Sequence, residues 1–234
     1  MDDTQELLDD LYIVCQPIML CSNTTVIDGY EILLRSKELQ RFPEKTFMWF
    51  IEEEQRNSKL MAYYSRELAK IMDIHSNTKL SLNLHPKQLQ HSSTWDFLDT
   101  ISSMKRNVSI ELTEHYCEFD RSDREDYLQY YILRLKRKGF SVAIDDVGSG
   151  QNNFELVTRN LPNITTIKFS LLKFRDLNEQ VLFNFLNSWL SLSQQYQLKL
   201  IIEGIECEVV SNKLKNLGMV YQQGYYHGKG QVLV

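Results

Sequence analysis

Eight short runs rich in Val, Ile, Leu and Tyr alternate along the chain with stretches of helical spacing, and this alternation constrains the fold more than any other feature. The runs are Tyr12–Ile18, Val26–Leu34, Lys79–Leu84, Val108–Leu112, Phe140–Ile144, Ile164–Phe169, Lys199–Ile202 and Met219–Gln222. Strand, helix and strand in succession imply right-handed crossovers, a parallel sheet and helices outside it. About eight such units in 234 residues match a closed barrel, whereas a doubly wound open sheet typically uses fewer strands. The expected fold is therefore α/β, a modified TIM (β/α)8 barrel. The short link Ser22-Asn23-Thr24-Thr25 between the first two runs suggests a hairpin, which would turn the first strand antiparallel to its neighbour. No Pro/Gly/Ser-rich linker divides the chain, so residues 1–11 read as an N-terminal extension and 12–234 as one barrel domain. No sensory domain is expected before residue 12.

Two helical stretches carry clear faces. In 177–196, Val181, Phe185 and Trp189 recur beside Leu182, Leu186 and Leu190, a wide apolar stripe expected to pack on the sheet. In 122–138, Leu128, Ile132 and Leu135 repeat the pattern, and Arg134, Lys136, Arg137 and Lys138 on the far side read as a solvated face.

Charge and cysteine usage exclude several classes. With 26 Lys plus Arg against 31 Asp plus Glu, the net charge of −5 argues against a basic surface for a DNA or RNA duplex. The hydrophobic fraction of 43% suffices for a real core. Cys15, Cys21, Cys117 and Cys207 are scattered without a CxxC pair, which indicates reduced, mostly buried thiols. The acidic start MDDTQELLDD lacks the apolar segment of a secretory signal. The longest uncharged stretch, Val181 to Leu198, is broken by Asn, Ser and Gln, so no membrane span is expected and the location reads as cytoplasmic.

Barrel enzymes place their chemistry at the C-terminal ends of the strands. Glu31 falls near the end of the second run, Asn83 at the third, Glu111 with Glu114 just beyond at the fourth, and Asp145-Asp146 at the fifth. Lys168 lies in the sixth, Glu203 ends the seventh and Gln223 the eighth. Any one of these could be an ordinary solvated strand end. Six carboxylates converging on one mouth would repel by several kcal/mol per close pair, about 4 kcal/mol at 4 Å and an effective dielectric near 20, unless protons or metal ions intervene. The all-oxygen donor set suits Mg²⁺ or Mn²⁺ and disfavours zinc. Adjacent Asp145 and Asp146 suggest two ions, the usual clamp for in-line displacement at phosphorus. Lys168 either orients the nucleophile or forms a structural salt bridge to Asp146 or Glu203. Arg35 either grips a phosphate or pairs with Glu38. The glycines of Asp145-Asp146-Val147-Gly148-Ser149-Gly150 allow a close backbone approach but are a weak signal alone.

Several segments, taken in order, resemble the signatures of the EAL-domain phosphodiesterases. They are Tyr30-Glu31-Ile32-Leu33-Leu34-Arg35, Asn83-Leu84-His85-Pro86, Glu111-Leu112-Thr113-Glu114, the Asp145–Gly150 segment, Lys168, Glu203-Gly204-Ile205-Glu206 and Gln223-Gly224-Tyr225. The likeness extends from Gln16-Pro17 to Gly228. It implies a barrel that hydrolyses cyclic di-GMP to linear pGpG with two Mg²⁺ or Mn²⁺ ions. By matching positions, Glu31, Asn83, Glu111 and Asp145 would hold one ion, and Asp145 with Asp146 the other. Lys168, Glu203, Gln223 and Glu114 would form the catalytic surroundings: Glu203 supporting the metal cluster, Lys168 contacting the attacking water, Gln223 supporting it, and Glu114 holding the loop Val147–Gly150. Arg35 and Gln16 would bind substrate, and a homodimer is the implied state.

The sequence also departs from the family pattern. Ile32 replaces the middle alanine of the naming motif, and His85 replaces a serine as a neighbour of the mouth rather than a ligand. Val147 and Gln151 replace aromatic residues of the loop, and Ser170 replaces an aspartate two residues after Lys168. The alternative reading is a catalytically inactive EAL-like module that senses cyclic di-GMP or a partner protein. Unrelated metal-dependent barrel chemistry would explain the carboxylates but not the ordered motifs. Under the enzymatic reading, Glu31→Ala is expected to abolish most turnover without unfolding, as a ligand at a solvent-facing strand end.

Overall fold

In the computed structural model, which describes residues 3–114 and 124–233, eight strands close into a barrel in chain order. They are β1 (Leu11–Cys21), β2 (Thr25–Ser36), β3 (Leu80–Leu84), β4 (Val108–Leu112), β5 (Val142–Ile144), β6 (Thr166–Ser170), β7 (Lys199–Glu203) and β8 (Tyr221–Gln222). The segment before β1 forms helix α1 (Asp3–Asp10), whose Leu7 and Leu8 pack against the core. Between β2 and β3 run α2 (Glu44–Ile51) and α3 (Glu54–Ile74); α4 (Ser92–Thr100), α5 (Arg124–Lys138), α6 (Phe154–Asn160), α7 (Glu179–Tyr196) and α8 (Glu208–Asn216) follow successive later strands.

The hairpin at Ser22–Thr25 sets the one departure from an all-parallel barrel. β1 pairs antiparallel with both β2 and β8, and every other neighbouring pair is parallel. A hairpin needs no crossover, so its ladder can outrun the barrel. Leu33 to Ser36 pair with β1 alone, while β2 meets β3 only over Tyr30–Ile32.

Strands β5 and β8 each begin two residues later than the sequence suggests, for a shared reason. Phe140 and Met219 each follow a left-handed glycine, Gly139 or Gly218. The Phe140 N–H donates to the Leu135 carbonyl and the Met219 N–H to the Leu214 carbonyl. These apolar residues close helix C-termini before the chain enters β5 and β8.

Strand alternation divides the barrel into two environments. Leu80, Leu82 and Leu84, Val108, Ile110 and Leu112, Ile167 and Phe169, and Leu200 and Ile202 join the apolar layer under the helices. The opposite parity supplies Ser81, Asn83, Ser109, Glu111, Lys168, Ser170 and Glu203. The main hydrophobic core therefore lies between sheet and helices, and the parity facing the barrel axis is largely polar, with buried Ala143 and Ile201 among it.

In α7 the expected stripe packs on the core through buried Leu186 and Trp189 and half-buried Leu182, Phe185 and Leu190, while Val181 in its first turn is exposed. In α5, Leu128, Ile132 and Leu135 are buried. The basic far side of α5 is only partly solvated: Arg134 stacks 3.7 Å above the Trp95 ring, Lys138 pairs with Asp99 and Lys136 donates to the Pro162 carbonyl. Cys15 and Cys21 are buried free thiols, burial pushing Cys15 up to about 11, whereas Cys207 is exposed. Cys117 and residues 122 and 123 lie outside the described residues. Among the described residues no helix is long and apolar enough to cross a membrane.

Candidate active site

Lys168, fully buried on β6, is the hub of the barrel mouth. Its Nζ lies 2.6 Å from Glu203 Oε1, 2.8 Å from Glu111 Oε2, 3.1 Å from Glu31 Oε2 and 3.8 Å from Asp145 Oδ1. Thus β2, β4, the turn after β5 and β7 each aim a carboxylate at one ammonium. Of the two salt bridges considered for this lysine, the one to Glu203 exists; Asp146 pairs instead with Lys173, at 3.2 Å.

Glu31 is not near a strand end. It sits in the middle of the twelve-residue β2, 6% exposed, because the hairpin prolongs that strand past the barrel rim. Its carboxylate accepts from Asn83 Nδ2 at 2.6 Å and Gln223 Nε2 at 2.5 Å. Gln223 Nε2 also reaches Gln16 Oε1 at 3.2 Å, and Gln16 donates to the Gly228 carbonyl at 2.9 Å. The structure therefore joins Glu31, Asn83, Glu111, Asp145, Lys168, Glu203, Gln223 and Gln16 into one network. Arg35, although on the same strand parity as Glu31, turns Nη1 to the Leu34 carbonyl and stays outside it. His85 is held by its own turn, Nδ1 accepting from the Lys87 N–H at 3.1 Å.

A second group adjoins the first. Consecutive strand residues face opposite ways, yet Asp145 and Asp146 share one place because the chain has left β5 and Asp146 adopts a left-handed conformation with φ 46°. The Asp146 N–H donates to Asp145 Oδ1 at 2.9 Å. Carboxylate oxygens of Asp145, Asp146 and Glu114 lie within 4.8 Å of one another, close enough to hold a metal ion together. Glu114, expected to support the loop 147–150, also accepts the Gln151 N–H on its carbonyl at 3.3 Å. A Cβ on Gly150 would stand 2.8 Å from that carbonyl, so the approach of loop to Glu114 requires glycine there.

The charges interact strongly. Burial disfavours an ionised Glu31, but the Lys168 charge and the hydrogen bonds from Asn83 and Gln223 outweigh it and hold this carboxyl below its usual range. Burial, opposed by Lys168 and reinforced by Glu31 and Glu111, pushes Glu203 up to about 7. Burial and the surrounding carboxylates raise Asp145 well above the usual carboxylate range. Asp146 is raised by burial and by Glu114. Burial would lower Lys168, yet Glu111, Glu203, Glu31 and Asp145 keep it firmly protonated.

The fit to metal follows from this balance. Six carboxylates face two ammonium groups, which leaves four formal negative charges, the charge of two divalent cations. All donors are oxygens, as Mg²⁺ and Mn²⁺ prefer. A cleft of about 300 Å³ opens beside them, lined by Glu31, Asp145, Ser170, Glu203, Gln223 and Tyr225 among others.

Three site residues escaped the sequence reading. Ser81 donates to Glu111 Oε1, and its place on the same strand parity as Asn83 was the available signal. Buried Asn152 donates to the carbonyls of Leu112 and Asp145, fixing the turn that carries the aspartate pair. Lys173 bonds Glu114 at 2.6 Å and had no sequence signal, since the short 3₁₀ turn of residues 171–174 was not anticipated.

Barrel topology and acidic, lysine-bridged mouth together define a modified (β/α)8 barrel with a candidate catalytic centre at the strand ends. The chain belongs to the EAL domain family, whose model matches residues 2–230. It is 26% identical to the cyclic di-GMP phosphodiesterase TpdA of Vibrio parahaemolyticus over 81% of this chain and 33% of that protein. The chain spans less than half the length of the curated relatives it matches. Among solved structures, the PaMucR phosphodiesterase in complex with c-di-GMP superposes with a TM-score of 0.76, at 23% identity, over 98% of this chain and 96% of that one. BlrP1 of Klebsiella pneumoniae, solved with manganese and cy-diGMP, gives 0.72 at 22% identity, over 92% and 55%.

Proposed function

We propose that this chain is a phosphodiesterase that hydrolyses cyclic di-GMP to linear pGpG with two divalent cations, Mg²⁺ or Mn²⁺. The observation that carries the reading is the formal excess of six carboxylates over two ammonium groups, Lys168 and Lys173, at the mouth beside an open cleft. Family membership and the names of the relatives support the same substrate.

Glu31, Asn83, Glu111 and Asp145 would hold one ion, and Asp145 with Asp146 the other. Bound there, such ions would supply Lewis-acid activation of water and neutralise charge at phosphorus. The chain's own part is positional. Lys168, gripped on several sides, offers a fixed ammonium that needs no reorganisation as negative charge develops. Gln223 and Asn83 fix the Glu31 carboxylate through both of its oxygens. Ser170 and Glu203 pair in register on β6 and β7 and form a polar wall of the cleft. Arg35 would bind substrate through guanidinium N–H groups other than the one on Nη1 that the Leu34 carbonyl holds. A homodimer is proposed as well, supported by the exposed Phe154, which follows the 147–150 loop, and Val181 on α7, whose Phe185 meets Gly148.

The test is product analysis of cyclic di-GMP incubated with the purified chain and each metal in turn. Linear pGpG with either ion is the expected result. Folded protein that binds the dinucleotide but releases no product would instead establish the sensor reading.

A further inference from the structure

Lys168 and Lys173 meet the same acidic mouth in different ways. Lys168 is wholly buried. Lys173, in the 3₁₀ turn after β6, keeps 42% of its side chain exposed, yet its Nζ is seated between two carboxylates: 2.6 Å from Glu114 Oε1 and 3.2 Å from Asp146 Oδ2. Those two residues, with Asp145, have carboxylate oxygens within 4.8 Å of one another. The ammonium thus occupies one carboxylate oxygen of each of two members of the acidic trio. An ammonium and a divalent cation sharing Asp146 would repel at short range in a poorly solvated place. The half-exposed lysine is the partner able to move away.

We infer that Lys173 is a built-in competitor of the second divalent ion: it neutralises Glu114 and Asp146 when that ion is absent and must swing out to solvent for it to bind. This rests on the proposed two-ion centre and adds to it a residue that sets the affinity of one ion separately from the other. Lys168 is common to the first group of carboxylates in either state, so the competition is confined to the Asp146 side. The consequence is a threshold: the first ion binds at low metal concentration, and the second only where the metal outcompetes the lysine.

The experiment is a Mn²⁺ titration of the full chain, followed by loss of the free-ion paramagnetic resonance signal, for wild type, Lys173→Met, Lys173→Gln and Lys173→Arg. Circular dichroism checks folding, and two neutral variants guard against failure of either one. Unequal affinities are expected in wild type, with the weaker tightened about tenfold in both neutral variants, the scale of one charge-assisted hydrogen bond. The stronger affinity should not move, and Lys173→Arg should resemble wild type. A weaker affinity that is unchanged or reduced in both neutral variants overturns the competition while leaving the two-ion centre intact. Absence of Mn²⁺ binding in every chain overturns the two-ion centre itself, and the competition with it.

Discussion

Lys168 Nζ reaches Glu203 Oε1 at 2.6 Å although the strand partner of Glu203 is Ser170, two residues further along β6. The two side chains together span this two-residue offset, and the lysine draws together carboxylates that would otherwise repel. That relationship makes the charge of Lys168 a stability element of the metal-free protein as well as a feature of the mouth.

Lys168→Met should destabilise the metal-free chain by about 3 kcal/mol or more, the cost of leaving buried charges without their partner. Urea unfolding in the presence of a chelator measures this. Stability equal to wild type would show that the carboxylates do not depend on the ammonium.

Glu203 titrates near neutrality because it is buried. Its folded pKa of about 7 lies above the ordinary carboxyl value of 4.5, so the folded state holds the proton more tightly. The associated stability is fully present below about pH 4.5 and is lost as pH rises through 7, on the order of 3 kcal/mol. Asp145 and Asp146, also raised, act in the same direction. Denaturant midpoints of the chelated protein between pH 5 and 8 should therefore fall with pH, and Glu203→Gln should flatten the slope. An unaltered slope in that variant would place the titration elsewhere.

Glu31→Gln should lower turnover about 100-fold or more, the loss typical of removing a preorganised electrostatic group. Glu31→Ala should do the same and also cost stability, contrary to expectation from a solvent-facing strand end. It removes the acceptor of half-buried Asn83 and one of the two acceptors of buried Gln223, a combined penalty of about 1–3 kcal/mol. Comparing product formation and urea midpoints of the two variants separates the effects.

Gly224 lies against backbone. A Cβ there would stand 2.2 Å from the Ile205 carbonyl oxygen and 2.3 Å from its nitrogen, atoms tied into hydrogen bonds with Gln223 and Tyr226. Gly224→Ala should cost about 3 kcal/mol through overpacking and pull Gln223 away from Glu31. Calorimetric unfolding checks the first effect and turnover the second. A melting temperature within a degree or two of wild type would contradict the packing.

Much of the site was legible because strands have period two. Asn83, Glu111, Lys168 and Glu203 fall on the polar parity of runs whose alternate residues are Leu, Ile, Val or Phe, and the structure sends that parity to the barrel axis. Strand boundaries were less legible. Phe140 and Met219 look like strand residues by composition but serve as helix closures, a distinction made by the glycine before each rather than by hydrophobicity.

The order of eight runs, the hairpin and the all-oxygen donor set are local properties, written in spacing and residue type, and the sequence alone determined them. Which cation answers which carboxylate was decided only by the tertiary structure. Lys168 and Glu31 are 137 residues apart in the chain, and no periodicity encodes a distance across a closed barrel. Lys173 is the sharper case: a lysine in an unremarked turn gains its meaning solely because the fold seats it between Glu114 and Asp146. Electrostatic partnership depends on separation in space and on burial, and both come into existence when the barrel closes.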